Sequence, residues 1–327
     1  PFMLWGVMLL EGVLSIVADT NEVANRPELD PNPDFEKETA AEAANGTTIV
    51  VSRAGLRPVH SKETFFKYIR STLSRKDFIV KNAQARAFQS DRNMLLGRLW
   101  IVLQPFLDAA MYGFLFGYLL RTSHGIDNFI GYLFIGITFF AMMRNGLTSG
   151  FNLMRSNRGL LTAFHFPGAS LVVSHALRYF LDSVPPAVVS VVVALLLQWG
   201  QPVSASLLLV PILFVMVQLF STGLLFFSAR ICHQIPDFKF VLQFGSRFWF
   251  FMSGVFYSVE RFVNQPVLLE IMLSNPAYQF LTALRGAAMW GEIPELKLWI
   301  SMGLWSLLTP TVGLLFFWRG EESYANA

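Results

Sequence analysis

The sequence predicts an all-α membrane protein in which six transmembrane helices follow a polar N-terminal region. Of its 327 residues, 54% are hydrophobic and only 14% are charged, whereas about a quarter of the residues in a typical soluble domain are charged. The charges are also unevenly distributed. Residues 20–98 contain 23 of them, and the 229 residues that follow contain only 22. We therefore expect a polar segment attached to a membrane-embedded body.

The six predicted spans are apolar stretches close to the length of about 20 residues that a helix needs to cross a bilayer. They are Leu99–Leu120, Phe129–Gly150, Ala169–Leu197, Val203–Ala229, Phe240–Val259 and Leu298–Trp318. The fourth and sixth contain no charged residue, and the fifth contains only Arg247. The first three contain isolated charges, which we interpret as functional or structural interruptions.

The loop charges predict the orientation, because cytoplasmic loops retain Lys and Arg. With residues 53–98 placed in the cytoplasm, the cytoplasmic segments contain 16 Lys and Arg residues and the opposite segments contain four. This asymmetry predicts an even number of spans with both flanks in the cytoplasm.

The chain divides into five predicted segments by composition. They are an apolar N-terminal segment, 1–18, of unknown role, either an extra span or an interfacial helix; an acidic disordered linker with a short strand, 19–52; a cytoplasmic amphipathic interface region, 53–98; the six-span domain, 99–320; and a cytoplasmic tail, 321–327. The linker carries eight acidic and two basic residues over residues 19–46, a composition typical of disorder.

An amphipathic helix is predicted over Ser61–Leu73, before the first span. Its apolar positions share one face and are flanked by basic residues. These residues are Phe65, Phe66, Ile69 and Leu73, with Lys67, Arg70, Arg75 and Lys76. Such a helix is suited to lie among lipid headgroups. A small soluble subdomain that buries the same stripe is the alternative.

Several function classes lack support in the sequence. None of the seven lysines follows a glycine-rich loop, so no P-loop nucleotide site is expected on this chain. Neither the single cysteine nor the five scattered histidines have the spacing of a metal site. The eleven Lys and Arg residues of 53–98 indicate contact with a membrane surface rather than with nucleic acid. No cofactor is expected on this chain.

Short motifs in a characteristic order give the chain a family resemblance. They are LGRLW at 96–100, QP at 104–105, NRGLL at 157–161, FHFP at 164–167, SGVFY at 253–257, NP at 275–276 and LR at 284–285. Over roughly residues 60–320 the chain resembles the membrane subunits of ABC-2 type exporters. It is most similar to the permeases that export lipid-linked polysaccharides: O-antigen, teichoic acid and galactan.

This resemblance implies a homodimer docked on two copies of a separate P-loop ATPase, which binds ATP and Mg²⁺. It also implies that the loop after the second span couples the permease to the ATPase. That loop exposes apolar side chains beside basic ones, which suits a protein partner; a loop lying on lipid headgroups is the alternative. Its residues are Arg155, Asn157, Arg158, Leu160, Leu161, Phe164, His165, Phe166 and Pro167.

Residues 260–297 separate the fifth and sixth spans and contain two apolar runs, Val267–Leu273 and Ala277–Leu284. Both runs are too short to cross a bilayer. We expect re-entrant or interfacial helices on the outer face, as the resemblance also implies, with a small folded outer cap as the alternative.

Candidate substrate-pathway residues are charges inside spans, which are costly unless paired or hydrated, and aromatic residues on which sugars can stack. They are Asp108, Tyr112, Arg144, Arg178, Asp182, Arg247, Trp249, Phe256 and Tyr257. Arg178 and Asp182 are also spaced to form a structural salt bridge. The other two arginines either bind the diphosphate of a lipid carrier or extend to the headgroups, and Asp108 could pair with either of them.

The resulting hypothesis is a permease, not an enzyme, in a bacterial plasma membrane, with its polar N-terminal region in the cytoplasm. As the transmembrane subunit of an ABC exporter it would translocate a polyprenyl-diphosphate-linked polysaccharide. The alternatives are an ABC-2 exporter of a small hydrophobic drug or lipid, an ion-coupled secondary transporter, and a membrane-bound glycan enzyme, for which the sequence offers no motif.

Overall fold

The computed structural model describes residues 64–87, 99–119, 126, 128–164, 167–198, 204–258 and 264–326. The predicted segments 1–18 and 19–52 lie outside these residues, as do Ser61 and the first part of the region 53–98. Every regular element among the described residues is a helix, which confirms the all-α class.

Thirteen α-helices occur in these ranges. They are α1 (Phe65–Ser74), α2 (Lys76–Arg86), α3 (Leu99–Tyr112), α4 (Phe129–Ser149), α5 (Leu153–Ser156), α6 (Arg158–Phe164), α7 (Gly168–Leu196), α8 (Val210–Gln234), α9 (Phe238–Met252), α10 (Pro266–Leu273), α11 (Pro276–Arg285), α12 (Leu296–Trp318) and α13 (Glu321–Asn326). Two π-helical turns extend α3 and α11, through Gly113–Leu119 and Gly286–Trp290, and a 3₁₀ turn, Ala205–Leu209, precedes α8.

Four of the described helical segments are long and apolar enough to cross a membrane. They are Phe129–Ser149, Gly168–Leu196, Ala205–Gln234 and Leu296–Trp318, and they correspond to the second, third, fourth and sixth predicted spans. The first predicted span is an α-helix that changes to a π-helix at Gly113. The fifth differs more: α9 is only 15 residues long and ends at Met252, before the expected end at Val259.

The short helices α10 and α11 coincide with the two apolar runs predicted between the fifth and sixth spans. Each begins with proline at its first position, where the missing N–H is not needed. Asn275 caps α11, since its side-chain oxygen accepts a hydrogen bond from the Ala277 N–H at 3.0 Å.

Helix α4 lies at the centre of the described body. It packs against α3, α7, α8, α9 and α11, and 14 of its 21 residues are buried. Its contact with α8 is close at Gly146, where the Ser221 backbone occupies the space that a side chain would need. Ser221 Oγ also donates a hydrogen bond to the Met142 carbonyl at 2.9 Å. Small residues that allow close backbone contact are a common means of helix association in membranes.

Helix α1 has two distinct faces. Tyr68 and Thr72 are buried against the body, whereas Phe66 and Leu73 are 79% and 66% exposed. The predicted apolar stripe is therefore divided: its outer members remain available to a membrane or a partner, and the inward face includes a tyrosine that the stripe did not contain.

The close contact at Gly146 predicts a steric effect. Gly146→Ala places a methyl group against the backbone of Ser221 and should destabilise the protein by about 1–3 kcal/mol, the usual cost of overpacking. Gly303→Ala on α12 is the matched control, because no atom lies within 4 Å of the added carbon and alanine favours a helix. Thermal unfolding in detergent should show a lower midpoint for the first variant only. Equal midpoints would contradict the close packing of α4 on α8.

Candidate functional site

A cavity of about 440 Å³ opens among α3, α4 and α7, and its polar lining includes four charged side chains. Asp108 lies on α3, Arg144 on α4, and Arg178 and Asp182 on α7. All four were predicted as pathway residues from the sequence. The fold therefore collects four isolated intramembrane charges from three helices into one cavity.

The α7 side of this cavity is held together by a salt bridge. Arg178 Nε donates to Asp182 Oδ2 at 3.3 Å, as their spacing of four residues predicted. On the opposite wall, the Asn145 amide donates a hydrogen bond to the Tyr179 hydroxyl, which links α4 to α7. Two arginines that share a cavity with two carboxylates can hold an anion such as a phosphate bidentately, and the carboxylates offset the positive charge when no anion is bound.

Other polar residues that were not predicted also line the cavity, among them Asn145, His175 and Tyr179. The sequence did contain a signal for two of them. His175, Arg178, Tyr179 and Asp182 recur at positions i, i+3, i+4 and i+7, which is one face of a helix. A polar stripe along an apolar span marks the side that faces a cavity.

The predicted aromatic pathway residues do not line this cavity. Phe256 is buried, stacks on Phe116 at 4.4 Å and lies 5.0 Å from Tyr112. Trp249 packs on Phe140 at 5.0 Å and donates to Asn275 Oδ1 at 2.9 Å. These residues form a packed core between α3, α4 and α9.

Tyr257 and Arg247 lie in other surroundings. The Tyr257 hydroxyl donates to the Phe251 carbonyl at 2.5 Å, and its own carbonyl accepts a hydrogen bond from the Tyr132 hydroxyl. Arg247 is exposed on α9. Of the nine candidate residues, the cavity therefore includes only the four charged ones on α3, α4 and α7.

Arg285 belongs to the LR motif at 284–285 but was not among the pathway residues predicted from the sequence. Its side chain is only 1% exposed and donates to three backbone carbonyls: Tyr132 at 3.2 Å, Gly254 at 3.0 Å and Val255 at 3.1 Å. The guanidinium also lies 3.4 Å from the centre of the Tyr132 ring, a favourable cation–π arrangement.

This arginine joins three elements that are distant in sequence. It links α11 to α4 and to the loop after α9, where Gly254 adopts a positive φ of 62°. A side chain at Gly136 would collide with the guanidinium. Because its partners are backbone carbonyls rather than acidic side chains, no charge pattern in the sequence could have indicated the pairing.

The predicted coupling loop consists of α5, Asn157 and α6. Asn157 is buried; its amide donates to the Leu153 carbonyl at 2.9 Å and its oxygen accepts a bond of 3.4 Å from Arg86. Arg155 and Arg158 are exposed. His165, Phe166 and the side chain of Phe164 lie outside the described residues.

The exposure predicted for Leu161 is wrong. Leu161 is 3% exposed and belongs to an apolar cluster with Tyr68, Met154 and Phe317. The reason is that α6 forms a helical turn, which directs this side chain toward the body. Leu160 is half-buried at the edge of the same cluster, so among the described side chains of the loop the two arginines are more exposed than the two leucines.

A polar junction lies directly after this loop, where α7 begins. Glu321 accepts hydrogen bonds from the Tyr68 hydroxyl at 2.5 Å and from the Gly168 N–H at 2.6 Å. The Tyr68 hydroxyl in turn accepts a bond from the Ala169 N–H at 3.0 Å. We call these four residues the Glu321 junction. It satisfies the first amides of α7, which have no partner within the helix, and places a carboxylate at the positive end of the helix dipole.

Burial and the neighbouring Glu321 carboxylate raise the pKa of Tyr68 well above its usual value. The hydroxyl therefore remains protonated, and able to donate to Glu321, throughout the physiological pH range. The junction joins α1, α7 and α13 beside the predicted coupling loop.

No group of three or more His, Cys, Asp or Glu side chains suited to a metal ion occurs in the described part of the chain.

The fold and the cavity define a polytopic membrane protein with a charged site among its spans. Residues 81–289 match the ABC-2 type transporter family, which is more than half of the chain, and the chain belongs to this family. It is similar to the O-antigen export system permease protein RfbA of Myxococcus xanthus, with 21% identity over 265 residues that cover 80% of this chain and 99% of that protein.

Replacement of Arg285 should destabilise the protein. Arg285→Met keeps an apolar stem but leaves the buried Val255 carbonyl without its donor, and an unpaired buried acceptor costs about 1–3 kcal/mol. The control is Arg247→Met, since Arg247 is exposed. In detergent, Arg285→Met should lower the unfolding midpoint by several degrees and the control should not. Equal midpoints would show that the three carbonyl bonds do not contribute to stability.

The pKa of Tyr68 predicts a pH-dependent stability. Above pH 10 an unfolded chain releases the Tyr68 proton while the folded protein keeps it, so the stability that this hydroxyl contributes is lost as pH rises. Tyr68→Phe should lower the unfolding midpoint at pH 7, and the difference from the unsubstituted protein should shrink between pH 9 and 11. Tyr118→Phe, at an exposed tyrosine, is the control. A difference that stays constant with pH would contradict the assignment.

Proposed function

We propose that this chain is the transmembrane subunit of an ATP-driven exporter that moves a polyprenyl-diphosphate-linked polysaccharide across a bacterial plasma membrane. The glycan would be of the galactan, O-antigen or teichoic acid type. The observation that carries the proposal is the cavity in which Arg144 and Arg178 meet two carboxylates among apolar helices. The family match and the similarity to an O-antigen export permease support it.

The cavity suits an anionic lipid carrier better than a neutral drug. Each charge inside a span costs about 2.5–3.5 kcal/mol on insertion scales. A pathway for apolar molecules would not require such charged residues. Arg144 and Arg178 would bind the diphosphate oxygens. Asp108 and Asp182 would compete for the guanidinium groups, and this competition would let the substrate leave.

The proposed topology has six spans per subunit. The two beyond the four long helices would be α3, which continues through the π-helical turn to Leu119, and α9 with the loop held by Arg285. A helix of 15 residues extends about 22 Å, less than the hydrocarbon thickness of about 30 Å, so residues 253–258 would complete the crossing. Helices α10 and α11 would then be re-entrant from the outer face.

Energy would come from two copies of a separate ATPase docked on a homodimer of this chain. The contact would form at α5, α6 and the outward face of α1. Helix α7 offers a direct mechanical connection, because it begins at the Glu321 junction and carries Arg178 and Asp182 ten and fourteen residues further along. A displacement of the coupling loop would thus move one wall of the cavity.

The experiment compares cavity arginines with a matched arginine elsewhere. Arg144→Gln and Arg178→Gln should each lower export of the lipid-linked glycan at least about tenfold, because each removes one charge-assisted contact to phosphate. Arg247→Gln is the control, since Arg247 does not line the cavity. Export is measured in reconstituted vesicles with the partner ATPase, and ATP hydrolysis is recorded in parallel.

Normal glycan export by both cavity variants would contradict the proposed pathway. The coupling proposal has its own test, which is charge reversal of Arg155 and Arg158. This change should separate ATP hydrolysis from export, and unaltered coupling would refute the role of the loop. Stable co-purification with a P-loop ATPase would also exclude an ion-coupled secondary transporter.

A further inference from the structure

The side chains that line the cavity among α3, α4 and α7 belong to two levels along these helices. At the first level, the Asn145 amide donates a hydrogen bond to the Tyr179 hydroxyl and joins α4 to α7. Arg144 and Arg178 directly precede these two residues in the chain. Both arginines therefore leave the backbone at the height of this hydrogen bond, which we call the arginine level.

Asp108 lies further from the coupling loop than the arginine level. The helices α3 and α4 are antiparallel neighbours, and a Cβ added at Gly113 would lie 4.0 Å from Leu133 Cδ1. Five residues from this contact, toward the coupling loop on both helices, are Asp108 and Thr138. They share a second level about 9 Å from the arginine level, because six helical residues separate Thr138 from Arg144.

Helix α7 reaches this second level at Pro186. The hydrogen bond between Asn145 and Tyr179 fixes the register of α4 and α7. Seven residues further from the coupling loop are Thr138 on α4 and Pro186 on α7. Asp108, Thr138 and Pro186 all line the cavity, and we call these three residues the inner level.

The polar groups near the inner level have few partners within the protein. Arg178 is engaged by Asp182. Among the residues that the structure describes, by contrast, neither Arg144 nor Asp108 makes a hydrogen bond or a salt bridge. The Gln104 amide, one turn before Asp108 on α3, lines the cavity and makes no hydrogen bond to the described residues either. A carboxylate and an amide without protein partners at this depth require water or a ligand.

The wall of the inner level also contains an unsatisfied hydroxyl. Thr138 is 3% exposed, and its hydroxyl has no hydrogen-bond partner among the described residues. Thr148 and Thr222 behave differently, because each donates to the carbonyl four residues earlier, at 3.2 and 2.7 Å. The inner level therefore has unused hydrogen-bonding capacity in its wall as well as at its surface.

These groups suit the hydroxyls of a sugar. A carboxylate accepts hydrogen bonds from hydroxyl groups, and an amide both donates to them and accepts from them. A quaternary ammonium headgroup is the less suitable ligand, because proteins bind it in aromatic cages. Of the described residues that line the cavity, only Tyr179 is a Phe, Tyr or Trp, and it lies at the arginine level.

We propose that the inner level is a sugar subsite, in which Asp108 and Gln104 bind hydroxyl groups of the first sugar while Arg144 and Arg178 hold the diphosphate. The inference rests on the proposed function and specifies which part of the substrate the cavity recognises. The two levels are about 9 Å apart along the helices, which a diphosphate with one attached sugar spans. Asp108 can still compete for a guanidinium group, because the sugar occupies the carboxylate only while the substrate is bound.

The test compares two lipids that differ by one sugar: a polyprenyl diphosphate, and the same lipid with one glucose attached to the diphosphate. The full chain is purified in neutral detergent, and native mass spectrometry gives the apparent Kd of each lipid. The unsubstituted chain should bind the glycosylated lipid at least about tenfold more tightly, as expected for hydrogen bonds to a charged group. Asp108→Leu removes the acceptor and keeps a side chain of similar size, and it should abolish most of this preference.

Two further variants separate sugar recognition from phosphate recognition and from general charge. Arg144→Gln should weaken both lipids by the same factor, at least about tenfold, and leave the sugar preference unchanged. Glu270→Gln, at an exposed acid on α10 outside the cavity, is the control for loss of a negative charge and should change neither Kd. Unfolding midpoints verify that each variant is folded. Gln104→Met, with a partial loss of preference, replaces Asp108→Leu if that variant does not fold.

Three results would overturn the proposal. Equal, arginine-dependent binding of both lipids by the unsubstituted chain would refute the sugar subsite and leave the proposed function intact. Binding of neither lipid would contradict the proposed function itself, and the sugar subsite with it. Tighter binding of phosphatidylethanolamine than of the glycosylated lipid, lost in Asp108→Leu, would assign the carboxylate to an ammonium group.

Discussion

A buried guanidinium group determines how α4, α9 and α11 of this protein are assembled. A bilayer supplies no water to a polar group, so each polar group that enters it needs a partner within the protein. Arg285 finds its partners in the backbone of α4 and in the loop after α9, and it covers the ring of Tyr132. The Val255 carbonyl would lose its donor without the arginine, although the Gly254 carbonyl also accepts a hydrogen bond from the Tyr132 hydroxyl. The arginine would otherwise lack acceptors. Each therefore requires the other, and the positions of α4, α9 and α11 follow from this mutual requirement.

The same constraint leads to a different outcome in the cavity among α3, α4 and α7. There the possible partners of the arginines are side-chain carboxylates rather than backbone carbonyls. Acids and bases are present in equal number among the four charges. Side chains can exchange partners, whereas backbone carbonyls within a packed loop cannot. The protein thus contains two kinds of intramembrane arginine. Arg285 is held by three backbone acceptors, and Arg178 is paired with a single side-chain carboxylate.

Hydropathy was sufficient to predict α4, α7, α8 and α12, because a long apolar helix leaves the same signature wherever it packs. Hydropathy failed at the end of α9, where Val255 and Phe256 are as apolar as the residues of a span but fill the core after Gly254 has turned the chain.

The spacing of Arg178 and Asp182 predicted their salt bridge, since a pair within one helix depends only on helical geometry. The aromatic residues could not be assigned in the same way. Aromatic residues such as Phe256 and Trp249 are expected both along a sugar pathway and in a packed core. Only the positions of the neighbouring helices distinguish these two roles.

The Glu321 junction has a consequence for how the protein is made. Gly168 opens a transmembrane helix, yet the carboxylate that accepts its amide hydrogen lies 153 residues further along the chain. A ribosome that inserts spans in order exposes the start of α7 well before Glu321 exists. During that interval the first amides of α7 must bind water or headgroups, and α1 has no carboxylate to hold its tyrosine. The end of the body that contains this junction therefore closes late in synthesis, after α8 and α12 have entered the membrane. A ribosome that stalls before Glu321 leaves this end open to proteases and chaperones.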